Sequence, residues 1–198
     1  MKIVLGITGS VATVRTSELV RQLKESGHEI KLVATTTAVY FLKSDMIIGN
    51  DLQAQFWPDN DYELAVEFYR DKYEWPEGGY HRNDPVRHIE FRTWADLLLI
   101  APLSANTLAK LANGICDNFL TCIARAWPKE KPLVLAPAMN TEMWIDPITS
   151  EQLDRLRGRY QMLVVVNPIE KRLACGDVGL GAMAEIETIA ATVNSLHI

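Results

Sequence analysis

The sequence predicts an α/β fold: a parallel sheet of flavodoxin-like or Rossmann-like type with helices on both faces. Three observations carry this expectation. Short β-rich runs alternate with helical patterns along the chain, the signature of βαβ units. The segment Ala95–Ala101 is apolar at nearly every position, as a strand covered on both faces should be. Turns rich in small and hydroxyl residues follow several strands, at the ends where open α/β sheets bind ligands.

The elements follow in order. Lys2–Ile7 reads as a buried strand. Val11–Glu25 reads as a helix, with Val11, Val14, Leu19, Val20 and Leu23 near helical spacing and Gly27 past its end. Glu29–Ala34 is a second strand and Thr37–Lys43 a short helix. Ala95–Ala101 is the third strand. Ser104–Trp127 reads as helical, with a break at Gly114. Pro132–Ala136 is a strand, Thr149–Arg157 a helix, Met162–Val166 a strand and Glu185–Leu196 the last helix. The turns Gly6–Ala12, Thr35–Thr37, Pro102–Thr107, Pro137–Met143 and Asn167–Met183 then sit at strand ends.

The segment Trp57–Arg87 breaks this rhythm. It is rich in acids and aromatics, carries Pro58, Pro76, Gly78 and Gly79, and is long for a connection. An excursion packed on the surface, or a contact with a neighbouring subunit, is the simplest reading.

The 198 residues suit one domain with a core that needs no staples. Hydrophobic residues make up 48% and charged residues 23%, a globular balance. The net charge of −5 gives no electrostatic reason to expect nucleic acid or an anionic membrane as a partner. Cys116, Cys122 and Cys175 are an odd set with neither disulfide nor metal-ligand spacing, so no metal is expected and a reducing cytoplasm is the simplest compartment. The opening apolar run is too short for a signal peptide and flows into a helical pattern.

Gly6-Ile-Thr-Gly-Ser-Val-Ala follows the first strand and opens a helix. Small residues there admit a ligand to the backbone, and the helix N-terminus favours a phosphate. The dinucleotide pattern requires G-x-G-x-x-G and an acid at the end of the second strand. Here that strand runs into Thr35, Thr36 and Thr37. NAD is therefore disfavoured, while a mononucleotide such as FMN fits. Pro102-Leu-Ser-Ala-Asn-Thr-Leu offers a second helix start with Ser104, Asn106 and Thr107. Capping alone explains one such residue better than three in four positions.

Several segments together resemble one family. They are Gly9-Ser-Val-Ala, the run from His88, Pro102-Leu-Ser-Ala-Asn-Thr-Leu-Ala-Lys, Gly114-Ile-Cys-Asp-Asn, Pro137-Ala-Met-Asn-Thr-Glu-Met-Trp and Leu173-Ala-Cys-Gly-Asp-Val-Gly-Leu-Gly-Ala-Met-Ala-Glu. The chain is similar to the homo-oligomeric flavin-containing Cys decarboxylases, and within them to single-domain eukaryotic members acting on 4′-phosphopantothenoylcysteine. The resemblance spans Met1 to about Glu185 and is weakest over Trp57–Arg87. Flavin prenyltransferases share the Gly-Ser-Val-Ala turn but lack Pro-Ala-Met-Asn.

The resemblance implies a homotrimer with FMN bound between subunits and a single domain over 1–198 with an irregular excursion at about 57–87. It implies flavin contacts from Gly9, Ser10, Val11, Thr37, Ser104, Ala105, Asn106, Thr107 and Ala138. It implies substrate contacts from Asn140, Arg172, Ala174 and Met183, and catalytic roles for His88, Asn140 and Cys175. Thr37 keeps the hydroxyl of the family's usual serine, whereas Ala38 replaces a residue that is often a second serine.

The implied reaction makes an electron sink where a cysteine amide has none. The substrate thiol is oxidised to a thioaldehyde, loss of carbon dioxide gives an enethiol, and reduction yields 4′-phosphopantetheine for coenzyme A synthesis. The cofactor carries the redox step, and the protein supplies orientation, charge and protons.

His88 precedes a strand-like Ile89-Glu-Phe and suits a base or a cation that orients a carboxylate. Its plain alternative is a surface or interface histidine. The Asn140 amide can hold a carboxylate without adding charge, and its alternative is helix capping. Met143 either fills core or lines the pocket. Cys175 lies between Lys171-Arg172 and three glycines, a pattern for a flap bearing a proton donor, with the basic pair free to bind a substrate phosphate. Its alternative is an incidental thiol in a loop. Cys116 and Cys122 read as packing residues. Two rival functions stand beside this one: an inhibitory subunit of a protein phosphatase, and a decarboxylase of peptidyl cysteine.

Overall fold

The computed structural model describes residues 1–42, 46–49, 54–58, 61–172 and 178–196. β1 (Lys2–Ile7) leads through a 3-10 turn, Val11–Arg15, into α1 (Thr16–Glu25). Then come β2 (Glu29–Ala34), α2 (Thr36–Val39), β3 (Ile47–Ile48), β4 (Ala54–Phe56) and β5 (Val66–Tyr69). α3 (Asp71–Glu74) and α4 (Arg87–Trp94) precede β6 (Leu97–Leu103), α5 (Ala105–Asn113) and α6 (Phe119–Ala126). β7 (Leu133–Pro137), α7 (Thr141–Ile145), α8 (Pro147–Arg159) and β8 (Leu163–Val165) follow. A hairpin of β9 (Ile169–Arg172) and β10 (Val178–Ala182) and then α9 (Ile186–Asn194) close the chain.

Among the described residues the sheet has the order β3-β4-β5-β2-β1-β6-β7-β8. Every pair from β5 to β8 is parallel, and β3 and β4 add an antiparallel edge. Taken in chain order, the six parallel strands lie third-second-first-fourth-fifth-sixth. Of the two doubly wound arrangements expected, this is the Rossmann one. Its order reverses between β1 and β6, so a crevice opens at their carboxyl ends.

Alternation along the strands divides the core. Ile3, Leu5 and Ile7 face α1 and α9, against Leu19, Val20, Leu23, Ile186 and Ile189. Val4, Leu98 and Ile100 face the opposite layer, against Phe91 of α4, Leu108 of α5, Phe119, Leu120 and Ile123 of α6 and Leu153 of α8. Each fully buried aliphatic side chain here contributes roughly 1.5–3 kcal/mol. Gly6 lets α6 come close to β1, because a Cβ there would lie 2.5 Å from a Leu120 methyl.

Three expectations are revised. The strand-like reading of Ile89–Phe91 is replaced by α4, which also takes in His88. Phe91 is buried against Tyr69, Tyr73 and Phe119 while Ile89 and Glu90 face outward, so one helical face does the packing. Trp57–Arg87 is not wholly a surface excursion, because Val66–Tyr69 forms β5 beside β2 with Phe68 and Tyr69 buried. Ser104–Trp127 is two helices parted at Gly114, as expected. α5 ends on Gly114 at φ +72, and Asn118 and Thr121 form a capping box that starts α6. The long helix expected from Val11 also begins as 3-10 before turning α-helical at Thr16.

Candidate active site

Three turns converge on the crevice. The first follows β1. Ser10 caps the 3-10 turn, its Oγ accepting from the Ala12 N–H at 3.4 Å. Gly9 has no room for a side chain, since a Cβ would stand 2.6 Å from Thr37 Oγ1 and 2.8 Å from Thr37 Cβ. Thr35, which caps α2, lies 3.3 Å from the Thr37 hydroxyl. The α2 start therefore backs the first turn.

The second turn follows β6. Ser104 caps α5, accepting from the Thr107 N–H at 3.3 Å and donating to the Thr107 hydroxyl at 3.3 Å. The third follows β7. Asn140 caps α7 by accepting from the Glu142 N–H at 2.9 Å. The β9–β10 hairpin closes on this turn: the Met139 N–H donates to Gly181 O at 2.9 Å. Gly181 has φ +150, and a Cβ there would collide with the Met139 carbonyl, so a side chain would push the hairpin off the turn.

These turns and the hairpin enclose a cleft of about 600 Å³, the size of a cofactor or small-ligand site. Of the expected flavin residues, Gly9, Ser10, Val11, Ser104, Ala105, Asn106 and Ala138 line it. Thr37 lies behind Gly9, and Thr107 is buried inside the α5 cap, so both support the wall rather than form it. Of the expected substrate residues, Asn140 and Met183 line the same cleft, as does Met143. Arg172 ends β9. Ala174 and Cys175 lie outside the described residues.

The walls suit a flavin mononucleotide. Ala105 and Ala138 are small residues on the cleft wall, and the turns at Ser10 and Ser104 lie at helix starts, which favour a phosphate. The N-terminal half of the site is thus small and polar, while Val11, Val14, Phe41 and Met143 supply apolar surface.

Arg15 and Lys171 are the cations on the cleft wall among the described residues. Both bind Glu185: Arg15 Nη1 at 2.7 Å and Lys171 Nζ at 3.0 Å. Arg15 also grips Glu18 at 3.0 Å. Hydrogen bonds from Lys171 and then Arg15 hold the Glu185 carboxyl below its ordinary range. This bridge joins the hairpin to the first turn. Sequence reading missed Arg15 and Phe41, because nothing local marks them, and took Met139, in the Pro137–Met143 turn, as core filling. Arg15 and Phe41 reach the cleft through the 3-10 turn and the end of α2.

His88 is not on the cleft wall of its own chain. It stands in the first turn of α4, with Nδ1 2.5 Å from Glu74 Oε1 and its backbone N–H donating to Glu74 Oε2 at 2.9 Å. The structure thus brings Asn140 to the flavin turns and leaves His88 on another surface. Cys122 donates from Sγ to the Cys116 carbonyl at 3.4 Å, and burial pushes its thiol up to about 12, the profile of a packing residue. Cys116 is exposed rather than packed. No helix among the described residues is long and apolar enough to cross a membrane.

A family model described as Flavoprotein matches residues 1–197. A phosphopantothenoylcysteine decarboxylase of Mus musculus is 43% identical over 196 residues, covering 98% of this chain and 86% of that protein. A solved PPC decarboxylase, a Cys-to-Ser variant complexed with pantothenoylaminoethenethiol, superposes with a TM-score of 0.84 at 43% identity, covering 98% of this chain and 96% of that one. The solved FMN binding protein AtHal3 has a TM-score of 0.80 at 44% identity, with 98% and 94% covered. Strand order, cleft and full-length similarity agree, and this chain belongs to the Flavoprotein family.

Proposed function

We propose that this chain is an FMN-dependent decarboxylase of 4′-phosphopantothenoylcysteine, producing 4′-phosphopantetheine in coenzyme A synthesis. The observation that carries the reading is the meeting of two sets of residues in one cleft. The turns suited to a flavin, at Ser10 and Ser104, face the Asn140 and Met183 wall suited to the substrate. The similarity to decarboxylases of this substrate and to an FMN binding protein supports it.

FMN, when bound, supplies the two-electron chemistry that turns the substrate thiol into an electron sink. The chain's own residues do the rest. The N–H groups of the Ser10 and Ser104 turns would hold the FMN phosphate. The Asn140 side chain would hold the substrate carboxyl without adding charge. Lys171 lines the cleft, within reach of a substrate phosphate, and Arg172 is assigned to bind that phosphate with it. Cys175 delivers a proton to the enethiol carbon as the product is reduced. The enethiol held by the Cys-to-Ser variant of the solved relative is the compound expected when that last step fails.

The assembly is assigned as a homotrimer in the cytoplasm, with each site completed by His88 of a neighbouring copy. Two features support shared sites. His88 stands away from its own cleft, and the rim carries exposed apolar side chains, with Val11 47%, Val14 63% and Met143 54% exposed. Such a patch favours burial against another surface.

The purified protein should show a yellow flavin spectrum and release carbon dioxide from phosphopantothenoylcysteine. A colourless protein that stays inactive after incubation with FMN would overturn the proposal.

A further inference from the structure

We propose that Glu74 is a positioning residue for His88, fixing the tautomer and the orientation of its ring. The inference rests on the role given above to His88 and extends it to a residue of the Trp57–Arg87 segment, which the sequence reading left without chemistry.

The geometry is two-pronged. Glu74 Oε1 lies 2.5 Å from His88 Nδ1, and Oε2 accepts from the His88 backbone N–H at 2.9 Å. The second bond satisfies one of the N–H groups that the start of α4 leaves without an intrahelical partner. The first sets the ring. An ionised carboxylate only accepts, so Nδ1 carries the proton, and Nε2 is left as the nitrogen not bound to Glu74. The Glu74 side chain is 7% exposed and that of His88 25% exposed. A carboxylate this buried is costly unless its oxygens are bonded, and His88 supplies a donor to each.

The surroundings hold Glu74 in place. α3 is four residues long, and Asp71 and Tyr73 anchor it. Asp71 Oδ1 accepts from the Phe119 N–H at the start of α6 at 3.0 Å, and Oδ2 accepts from the Thr36 hydroxyl at 2.8 Å. The Tyr73 ring packs on Tyr69 and Phe119 at centroid distances of 4.5 and 5.7 Å, and the Arg87 guanidinium covers it at 4.9 Å. Glu74 is therefore delivered by a segment pinned to the sheet layer and to the α2 start that backs Gly9. A free surface acid would need none of this. The arrangement is the base-and-orienter pairing in which a carboxylate aims an imidazole at a substrate held elsewhere.

The test uses full-length, FMN-loaded protein with 15N-labelled histidine, the His88 signal being assigned by its loss in His88→Asn. Wild type should show His88 as the Nδ1–H tautomer. Glu74→Gln should keep its flavin absorbance, convert His88 to a mixture of tautomers, and lower kcat about 10- to 100-fold with little change in KM. In the His88→Asn background, Glu74→Gln should cost nothing further.

An Nε2–H tautomer in wild type would overturn the proposal without any variant. So would a Glu74→Gln protein that keeps the wild-type tautomer, or one that loses as much activity with His88 absent as with it present. If wild type binds no FMN or releases no carbon dioxide, the proposed function fails instead, and the tautomer still reports on the pair.

Discussion

The Thr8 hydroxyl accepts from the Ser104 N–H at 2.7 Å and donates to Pro102 O at 2.8 Å, joining the turn after β1 to the turn after β6. Thr8 is fully buried, so this hydroxyl fixes the spacing of two helix starts across the point where the strand order reverses. Thr8→Val keeps the shape and removes both bonds. The unpaired Ser104 N–H should lower stability by about 1–3 kcal/mol. FMN affinity should fall with it. Thr8→Ser should keep most of both. Denaturant unfolding with and without FMN measures the two effects, and an unchanged Thr8→Val protein would remove this clamp from the account.

Gly9 tests whether the first turn touches the flavin. An alanine Cβ there meets both Thr37 Oγ1 and Thr37 Cβ, neither of which is the end of a flexible chain. The turn must move away from α2 and into the cleft. FMN should bind about tenfold more weakly or worse in Gly9→Ala, a loss of about 1.4 kcal/mol. Quenching of flavin fluorescence on titration reads this directly, and wild-type affinity would place the flavin elsewhere.

Much of this site was legible in the sequence because turn chemistry is local. β1 and β2 fall on their expected bounds, and the small and hydroxyl residues after β1, β6 and β7 do meet in one cleft. β5 was hidden because its four residues include Glu67 and lie among acids, and it is paired by β2 and β4 rather than by its own pattern. α4 was read as extended because Ile89 and Phe91 are strand formers. Its helical state comes from Phe91 entering an aromatic cluster whose members are distant in sequence. The Glu74–His88 pair spans 14 residues, beyond any local spacing rule.

The Glu185 carboxyl gives a titration whose sign follows from its partners. Its pKa is depressed by Lys171 and Arg15, so its contribution to stability is complete above the ordinary carboxylate value of 4.5 and is lost as pH falls through the lower folded value. A 13C carboxyl titration should place the midpoint below 4.5. Lys171→Ala should raise it more than Arg15→Ala does, since Lys171 makes the larger contribution. A midpoint at the ordinary value would show that the hairpin is not tied to the first turn by this bridge.

Shared sites can be tested by mixing inactive copies. His88→Asn leaves the Asn140 cleft intact, and Asn140→Asp keeps the α7 cap while adding charge beside the substrate carboxyl. Each variant alone should be nearly inactive. After subunit exchange in equal amounts, roughly a quarter of wild-type activity should return, since half of the clefts and half of the neighbouring histidines are intact. No recovery from verified mixed trimers would mean that His88 and Asn140 serve the same chain.

The most direct measurement is the mass of the product formed from phosphopantothenoylcysteine by the FMN-loaded protein. Wild type should yield 4′-phosphopantetheine, the substrate less carbon dioxide alone. Cys175→Ser should accumulate the enethiol, lighter by a further two hydrogens. Unchanged substrate after incubation with flavin-loaded wild type would contradict the account.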